Sequence, residues 1–233
     1  MATRKTSVVG QISGKLGNTV TRYRNGKYIV YSKPDNYNIS YSDKAVNGRS
    51  KFANTVKMAK LLNSVPEISK VWKSAKINGT NAYQKIIKHN SKFISPEGIT
   101  AKNIITPSGF FISAKEIIFD EDNIVLRCLV EKEFPVMQAQ TYMLLSLRIS
   151  KNEELFVLLS DKIKSIDSEY VELSFSISKY ENKKLFSAQK AIVLVAFISL
   201  TPQIRWANTI SFEYDPPDVI PLEPWQGKHS NKI

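Results

Sequence analysis

Ala191-Ile-Val-Leu-Val-Ala-Phe-Ile-Ser-Leu200 is the longest apolar run in the chain, and it decides how the rest is read. It has about half of the roughly 20 residues that a helix needs to cross a bilayer. Its Ile, Val and Phe content favours extended backbone. A buried strand accounts for it.

Similar short runs lie on both sides. Candidate strands fall at 109–113, 117–119, 124–131, 142–149, 155–159, 171–177, 191–199 and 209–214, separated by turn clusters such as Asp120-Glu-Asp-Asn123 and Lys179-Tyr-Glu-Asn-Lys183. Short strands at this spacing predict an all-β domain over residues 103–215. A two-sheet sandwich of immunoglobulin-like architecture is the expected form, with a small barrel as the alternative. In the tail, 216–233, Pro216, Pro217, Pro221 and Pro224 remove backbone donors. That tail is expected to leave the sheet and lie as an extended strap held by Leu222 and Trp225.

Upstream of residue 103 the apolar period changes to about 3.6. Phe52, Val56, Ala59 and Leu62 recur on one face of a helix predicted over 43–63. Ser64-Val-Pro-Glu67 combines a capping-box pattern with a proline in the first turn, so a second helix is predicted over 66–76, with Ile68, Val71, Trp72 and Ala75 inward. A third, over 81–89, would bury Ala82, Tyr83, Ile86 and Ile87.

Before the helices, Thr19-Val-Thr-Arg-Tyr-Arg24 and Lys27-Tyr-Ile-Val-Tyr-Ser32 flank Asn25-Gly26. Asn-Gly between β-branched and aromatic runs predicts a hairpin with a two-residue type I′ turn, because both turn residues must take positive φ. The register follows: Arg24 opposite Lys27, Tyr23 opposite Tyr28, Arg22 opposite Ile29, Val20 opposite Tyr31. The ribbon so formed has a cationic tip and an apolar root, and the root is expected to pack on the rest of the protein. Pro34 ends the second strand, and residues 35–42 read as an ordered loop or extended arm. The overall expectation is an α+β chain with a basic hairpin-and-helix module over 1–102, the sandwich, and the tail.

Charge divides along the same line. Residues 1–102 hold 19 Lys and Arg against Asp35, Asp43, Glu67 and Glu97, whereas residues 103–233 hold 14 basic and 17 acidic side chains. The whole net charge of +12 therefore originates in the first part. Charge of one sign confined to one segment points to a surface that meets a polyanion. Lysines three or four residues apart form rows on the predicted helices, Lys57 and Lys60, then Lys70, Lys73 and Lys76, then Lys85, Lys88 and Lys92, and this spacing assigns each row to one helix face. Nucleic acid is the leading polyanion, since basic ribbons and helices meet grooves and phosphate backbones and tyrosines stack on unpaired bases. The candidate phosphate contacts are Lys15, Arg22, Arg24, Lys27, Lys70, Lys73, Lys76, Lys85 and Lys88. An anionic membrane is the poorer partner, because the basic helices have no apolar face beyond what a core requires.

Catalytic patterns are absent. Gly10-Gln-Ile-Ser-Gly14-Lys15-Leu16 fails the phosphate-loop spacing, which needs G-x-x-x-x-G-K followed by Ser or Thr. A glycine-permitted tight turn leading into the hairpin is the better reading, with Lys15 able to meet a phosphate oxygen. His89 and His229 are the only histidines, too few for a His-rich metal site. Cys128 is the only cysteine, so internal disulfides and Cys-based zinc sites are excluded. It lies in an alternating strand where a buried structural thiol is expected. Asp120, Glu121 and Asp122 read as an acidic turn. No enzyme activity, metal or cofactor is expected. The first ten residues lack the apolar stretch of a signal peptide. A cytoplasmic location, or one inside a phage particle or other large assembly, is therefore expected.

Gly10-Gln-Ile-Ser-Gly-Lys-Leu-Gly-Asn-Thr-Val20, the Tyr/Arg-rich hairpin, Ser32-Lys-Pro34 and the basic helix that follows resemble an uncharacterised bacterial and phage-associated family, which opens with Ser-Gly-Lys-x-Gly, a short ribbon ending in Ser-x-Pro, then helices and a variable β-rich half. The resemblance implies the N-terminal module, supplies no reaction, and adds weight to a role in a particle or assembly. The combined expectation is a non-enzymatic protein that binds nucleic acid without sequence preference and uses its sandwich for protein contacts or self-association. The alternative is a structural component of a large assembly such as a virion, with arm and hairpin contacting neighbouring subunits.

Overall fold

Residues 19–32 pair as the Asn-Gly spacing predicts. β1 (Gly14–Leu16), β2 (Thr19–Arg24) and β3 (Lys27–Ser32) form an antiparallel sheet in that order. Arg24 is opposite Lys27, Tyr23 opposite Tyr28, Arg22 opposite Ile29 and Val20 opposite Tyr31. Gly26 has φ 74° and Gly17, in the turn before β2, has φ 57°, a region that glycine enters without the Cβ penalty. Strand β1 was not expected from the sequence.

The computed structural model describes residues 14–24, 26–32, 39–119, 123–131, 133–150, 153–163, 165–166, 170–178, 184–185, 187–200, 203–214, 225–226 and 228–229. Asn25 of the turn, the first half of the arm at 35–42 and the acidic turn at 120–122 fall outside them. The chain separates into two units, Met1–Asp43 and Lys44–Ile233. In the first, the apolar root expected to be packed is not covered. All six residues of β3 are exposed, with Ile29, Val30 and Tyr31 at 47%, 61% and 41% of their full exposure. Apolar residues occur at both odd and even positions, so strand alternation sends some to each face and neither face gathers a core.

The second unit begins with three helices, α1 (Asp43–Asn63), α2 (Pro66–Ser74) and α3 (Ala82–Asn90). Helix α1 buries Thr55, Met58, Ala59 and Leu62. Phe52, placed inward by the sequence pattern, is 64% exposed. The inward stripe is rotated from the predicted one because Met58, not Phe52, meets the adjoining sheet. Helix α2 buries Ile68, Val71 and Trp72 as expected, and the Trp72 indole Nε1 donates to the Ile105 carbonyl at 2.7 Å. The predicted capping box does not form. Val65 occupies the N-cap without a side-chain bond, and the Ser64 hydroxyl donates instead to the Leu61 carbonyl at the end of α1. In α3, Asn81 caps by accepting from the Gln84 N–H at 2.9 Å. Ala82 and Ile86 are buried, Tyr83 and Ile87 half-buried.

The strands that follow are β4 (Ile112–Phe119), β5 (Asn123–Val130), β6 (Ala139–Ser150), β7 (Glu153–Lys162), β8 (Ser165–Ile166), β9 (Val171–Ser176), β10 (Lys190–Ser199), β11 (Arg205–Trp206), β12 (Ile210–Tyr214), β13 (Trp225–Gln226) and β14 (Lys228–His229). A bulge between Ala114 and Glu116 lets β4 run through a stretch that reads as two pieces in the sequence. One sheet has the order β14-β12-β10-β6-β7, with β11 also on β10, and the other β13-β4-β5-β9-β8. Ladder pairing is antiparallel in both, and the fold is α+β with a predominance of β. The tail departs from expectation: β13 pairs with β4 and β14 with β12, which the prolines permit because all lie before residue 225.

The long apolar run at 191–200 supplies most of β10, at the centre of its sheet. Ala191, Val193, Val195 and Phe197 point into the core between the two sheets, joined there by Met143, Leu145, Ile117, Leu126 and Phe175. The alternate residues, Ile192, Leu194, Ala196 and Ile198, join Tyr142 and Leu144 of β6 in a second core with Met58, Leu62, Ile68, Val71, Trp72 and Ile86 of the helices. A strand covered on both faces has no polar alternation to display. The division at residue 102 is therefore replaced. The helices form an outer layer on the sandwich and belong to its unit, while the ribbon is the separate part.

Candidate nucleic-acid interface

Helix α2 is held by Ile68, Val71 and Trp72 on its inner side, so its other side carries Lys70 and Lys73 into solvent, with Lys76 exposed just beyond. Lys88 is exposed on α3. The ion pairs present are Arg127 with Glu116 and Glu172, Arg148 with Glu97, and Lys190 with Glu213. Among the described residues, Lys70, Lys73, Lys76 and Lys88 have no such partner. Glu116, Glu172 and Glu213 of the sandwich pair with bases of the sandwich itself.

Lys85 must be removed from the candidates. It is 8% exposed, and its ammonium donates to the Lys73 and Ala75 carbonyls at 2.9 and 2.7 Å. The orphan carbonyls at the end of α2 attract a cation both by hydrogen bonding and through the helix dipole. Lys57 is likewise engaged, donating to the Glu154 carbonyl at 2.8 Å and lying 4.6 Å from the centre of the Phe156 ring. Of the three predicted lysine rows only that of α2 is intact.

In the ribbon unit Arg22 and Lys27 are exposed. The Arg22 guanidinium lies 5.9 Å from the Tyr31 ring centre, and the Tyr23 and Tyr28 rings pair at 4.8 Å. Lys15 and Arg24 occupy strand positions opposite Val20 and Lys27, but their side chains lie outside what is described.

The residues weighed for other chemistry have structural surroundings. Burial pushes the Cys128 thiol up to about 12, and the side chain lies in the sandwich core. The His89 ring is tilted against Trp72 and Phe93, with ring centres 5.9 and 6.2 Å away. Its proton affinity is lowered by burial and then by Lys92. Glu154, unremarked in the sequence, is drawn inward beside β6. Burial raises its pKa, opposed by the Ser146 hydroxyl, the Ile99 N–H and the charges of Lys57 and Arg148.

Sequence reasoning also missed a groove whose first part lies beside α2 and whose second part adjoins Ile204. One part, of about 520 Å³, is lined by Lys70, Lys73, Ser74, Leu200 and Ile204. The other, of about 390 Å³, is lined by Ile204, Arg205, Trp206, Gly109, Phe110 and Glu131. Both include Ile204 in their lining. The walls come from segments far apart in the chain, joined where the Phe110 N–H donates to the Trp206 carbonyl at 3.0 Å, so no periodicity announces them. Gly109 permits the approach, since a Cβ there would collide with the Trp206 carbonyl oxygen.

Among the described residues no helix is long and apolar enough to cross a membrane. No protein-family model, curated protein or solved structure matches the chain.

Proposed function

We propose that this is a non-enzymatic structural protein that binds nucleic acid through phosphate contacts and without base-specific readout. The observation that carries the reading is the outer side of α2, a helix anchored by a buried tryptophan, where Lys70 and Lys73, with Lys76 just beyond its end, are exposed and among the described residues have no ion-pair partner. Unpaired like charges on a rigid platform cost stability unless a counter-charged partner meets them. Lys88, Arg22 and Lys27 are further contacts in this reading, as are Lys15 and Arg24. The sandwich is proposed to be immunoglobulin-like and to serve protein contacts. In support, the orders β4-β5-β9-β8 and β12-β10-β6-β7 follow the ABED and GFC arrangement of that fold, with β7 as an added edge strand.

The test is duplex affinity against salt. For about six to eight neutralised phosphates, the slope of log affinity on log salt is expected near −5 to −7. The triple variant K70Q/K73Q/K76Q should reduce its magnitude by about 3, since each lysine that neutralises a phosphate adds about 0.9 to the slope. A flat response in the parent protein removes the reading.

A second reading, a component of a large assembly, is favoured by one observation: both faces of the ribbon expose aromatic and aliphatic side chains, Tyr23 at 60% and Val30 at 61% on one and Ile29 at 47% on the other. Contiguous exposed apolar surface of this kind marks interaction sites. In this reading the ribbon inserts between neighbouring subunits, and light scattering should show an oligomer that nuclease treatment leaves intact.

A further inference from the structure

We infer that the groove lined by Ile204 holds an unpaired nucleotide, so that the bound polymer is a single strand. This rests on the proposed function and assigns its preferred form of nucleic acid.

Lysines line one part of the groove and Glu131 the other, with apolar Leu200, Ile204 and Trp206 in the lining as well. Lys70 and Lys73 stand in the first part, one helical turn apart, where a phosphate binds. Glu131 stands in the second, with its Oε2 accepting from the Phe111 N–H at 2.9 Å. A carboxylate there repels a second phosphate and accepts from the amino group of a base, as acidic side chains do with cytosine.

The aromatic wall is preset. The Trp206 indole Nε1 donates to the Ser108 carbonyl at 3.2 Å, and Phe110 is flanked by the Arg205 guanidinium, 5.9 Å from its ring centre. Arg205 is held in turn by the Glu133 carbonyl at 3.3 Å. Each part of the groove is within the roughly 300–1,000 Å³ of ligand pockets. A base reaches such a slot only when it is not paired, because in a duplex its faces are covered by neighbouring bases, whereas aromatic stacking is the usual device of single-strand binders. An acidic peptide would satisfy the lysines but would leave Glu131 facing like charge.

Fluorescence anisotropy with a labelled oligodeoxycytidine strand and a labelled duplex of equal length tests this. The unaltered protein should bind the strand more tightly. W206L should lose about five- to hundredfold in strand affinity, the range for one stacked base, with duplex affinity unchanged. Because Trp206 also packs toward the helix core, a second measurement uses the unaltered protein. Its tryptophan emission should be quenched by the strand and not by the duplex, and that quench should be missing in W206F. Equal affinity for strand and duplex with no quench overturns the inference and leaves the proposed function standing. Binding of neither nucleic acid overturns both. An oligoglutamate peptide that binds as tightly as the strand overturns the inference by showing a protein ligand for the groove.

Discussion

Glu154 illustrates how one buried carboxyl ties a loop to a sheet. Its Oε1 accepts from Ser146 and from the Ile99 N–H, the latter at 3.2 Å, so the 95–99 turn is fastened to β6 and β7. Gly98, at φ 140°, lies so close that a Cβ would collide with the Glu154 carboxylate. Because burial raises its folded-state pKa, the folded chain binds this proton more tightly than the unfolded chain. The resulting contribution to stability is complete below the ordinary glutamate value, about 4.3. It is lost as pH rises from there through the raised folded value. Urea midpoints measured across that window should fall for the native protein and vary less for E154Q, which has no proton to release.

Helix α2 shows why lysines of the same charge have different fates. Lys70 and Lys73 point away from Ile68, Val71 and Trp72 and stay in water. Lys85, from the next helix, closes the C-terminal end of α2 by donating to two carbonyls. The three-residue spacing of the lysine rows specified helix faces but not which face was already taken by a neighbour. K85M, which keeps the stem and removes the donors, should destabilise the protein by about 1.5–3 kcal/mol, the range for a hydrogen bond to a charged group, as read from denaturant unfolding. Its duplex affinity should match the native protein, whereas K70Q/K73Q/K76Q should show the reverse pattern. The same limit explains α1, whose stripe through Met58 rather than Phe52 depends on where the adjoining sheet lies. It also explains the ribbon, whose register was legible from Asn25-Gly26 although the exposure of both faces was not.

Over the whole molecule, the sheet containing β6 and β10 is shared by two cores, and this makes helices and sandwich one unit. A fragment of residues 103–233 would expose Tyr142, Leu144, Ile192, Leu194 and Ile198, all now against the helices. At about 25 cal/mol per Å² of apolar surface, an uncovered sheet face of this kind is a severe loss for a domain whose net stability is only about 5–15 kcal/mol. Circular dichroism and sedimentation should show the 103–233 fragment aggregated or unfolded, and the 44–233 fragment folded with a cooperative melt. A well-folded 103–233 fragment would restore the boundary read from the charge change.

Local chemistry alone determined the hairpin register, the three helices, the positions of seven strands and the concentration of positive charge before residue 103. Each follows from turn residues, apolar period or composition within a short window. Tertiary structure decided which lysines remain in water, that the helices cover the outer face of a sandwich sheet, and that Ile204 lines a hollow with Lys70 and another with Trp206 and Glu131. Those outcomes depend on which surfaces compete for burial once distant segments meet, and a one-dimensional pattern carries no record of that competition.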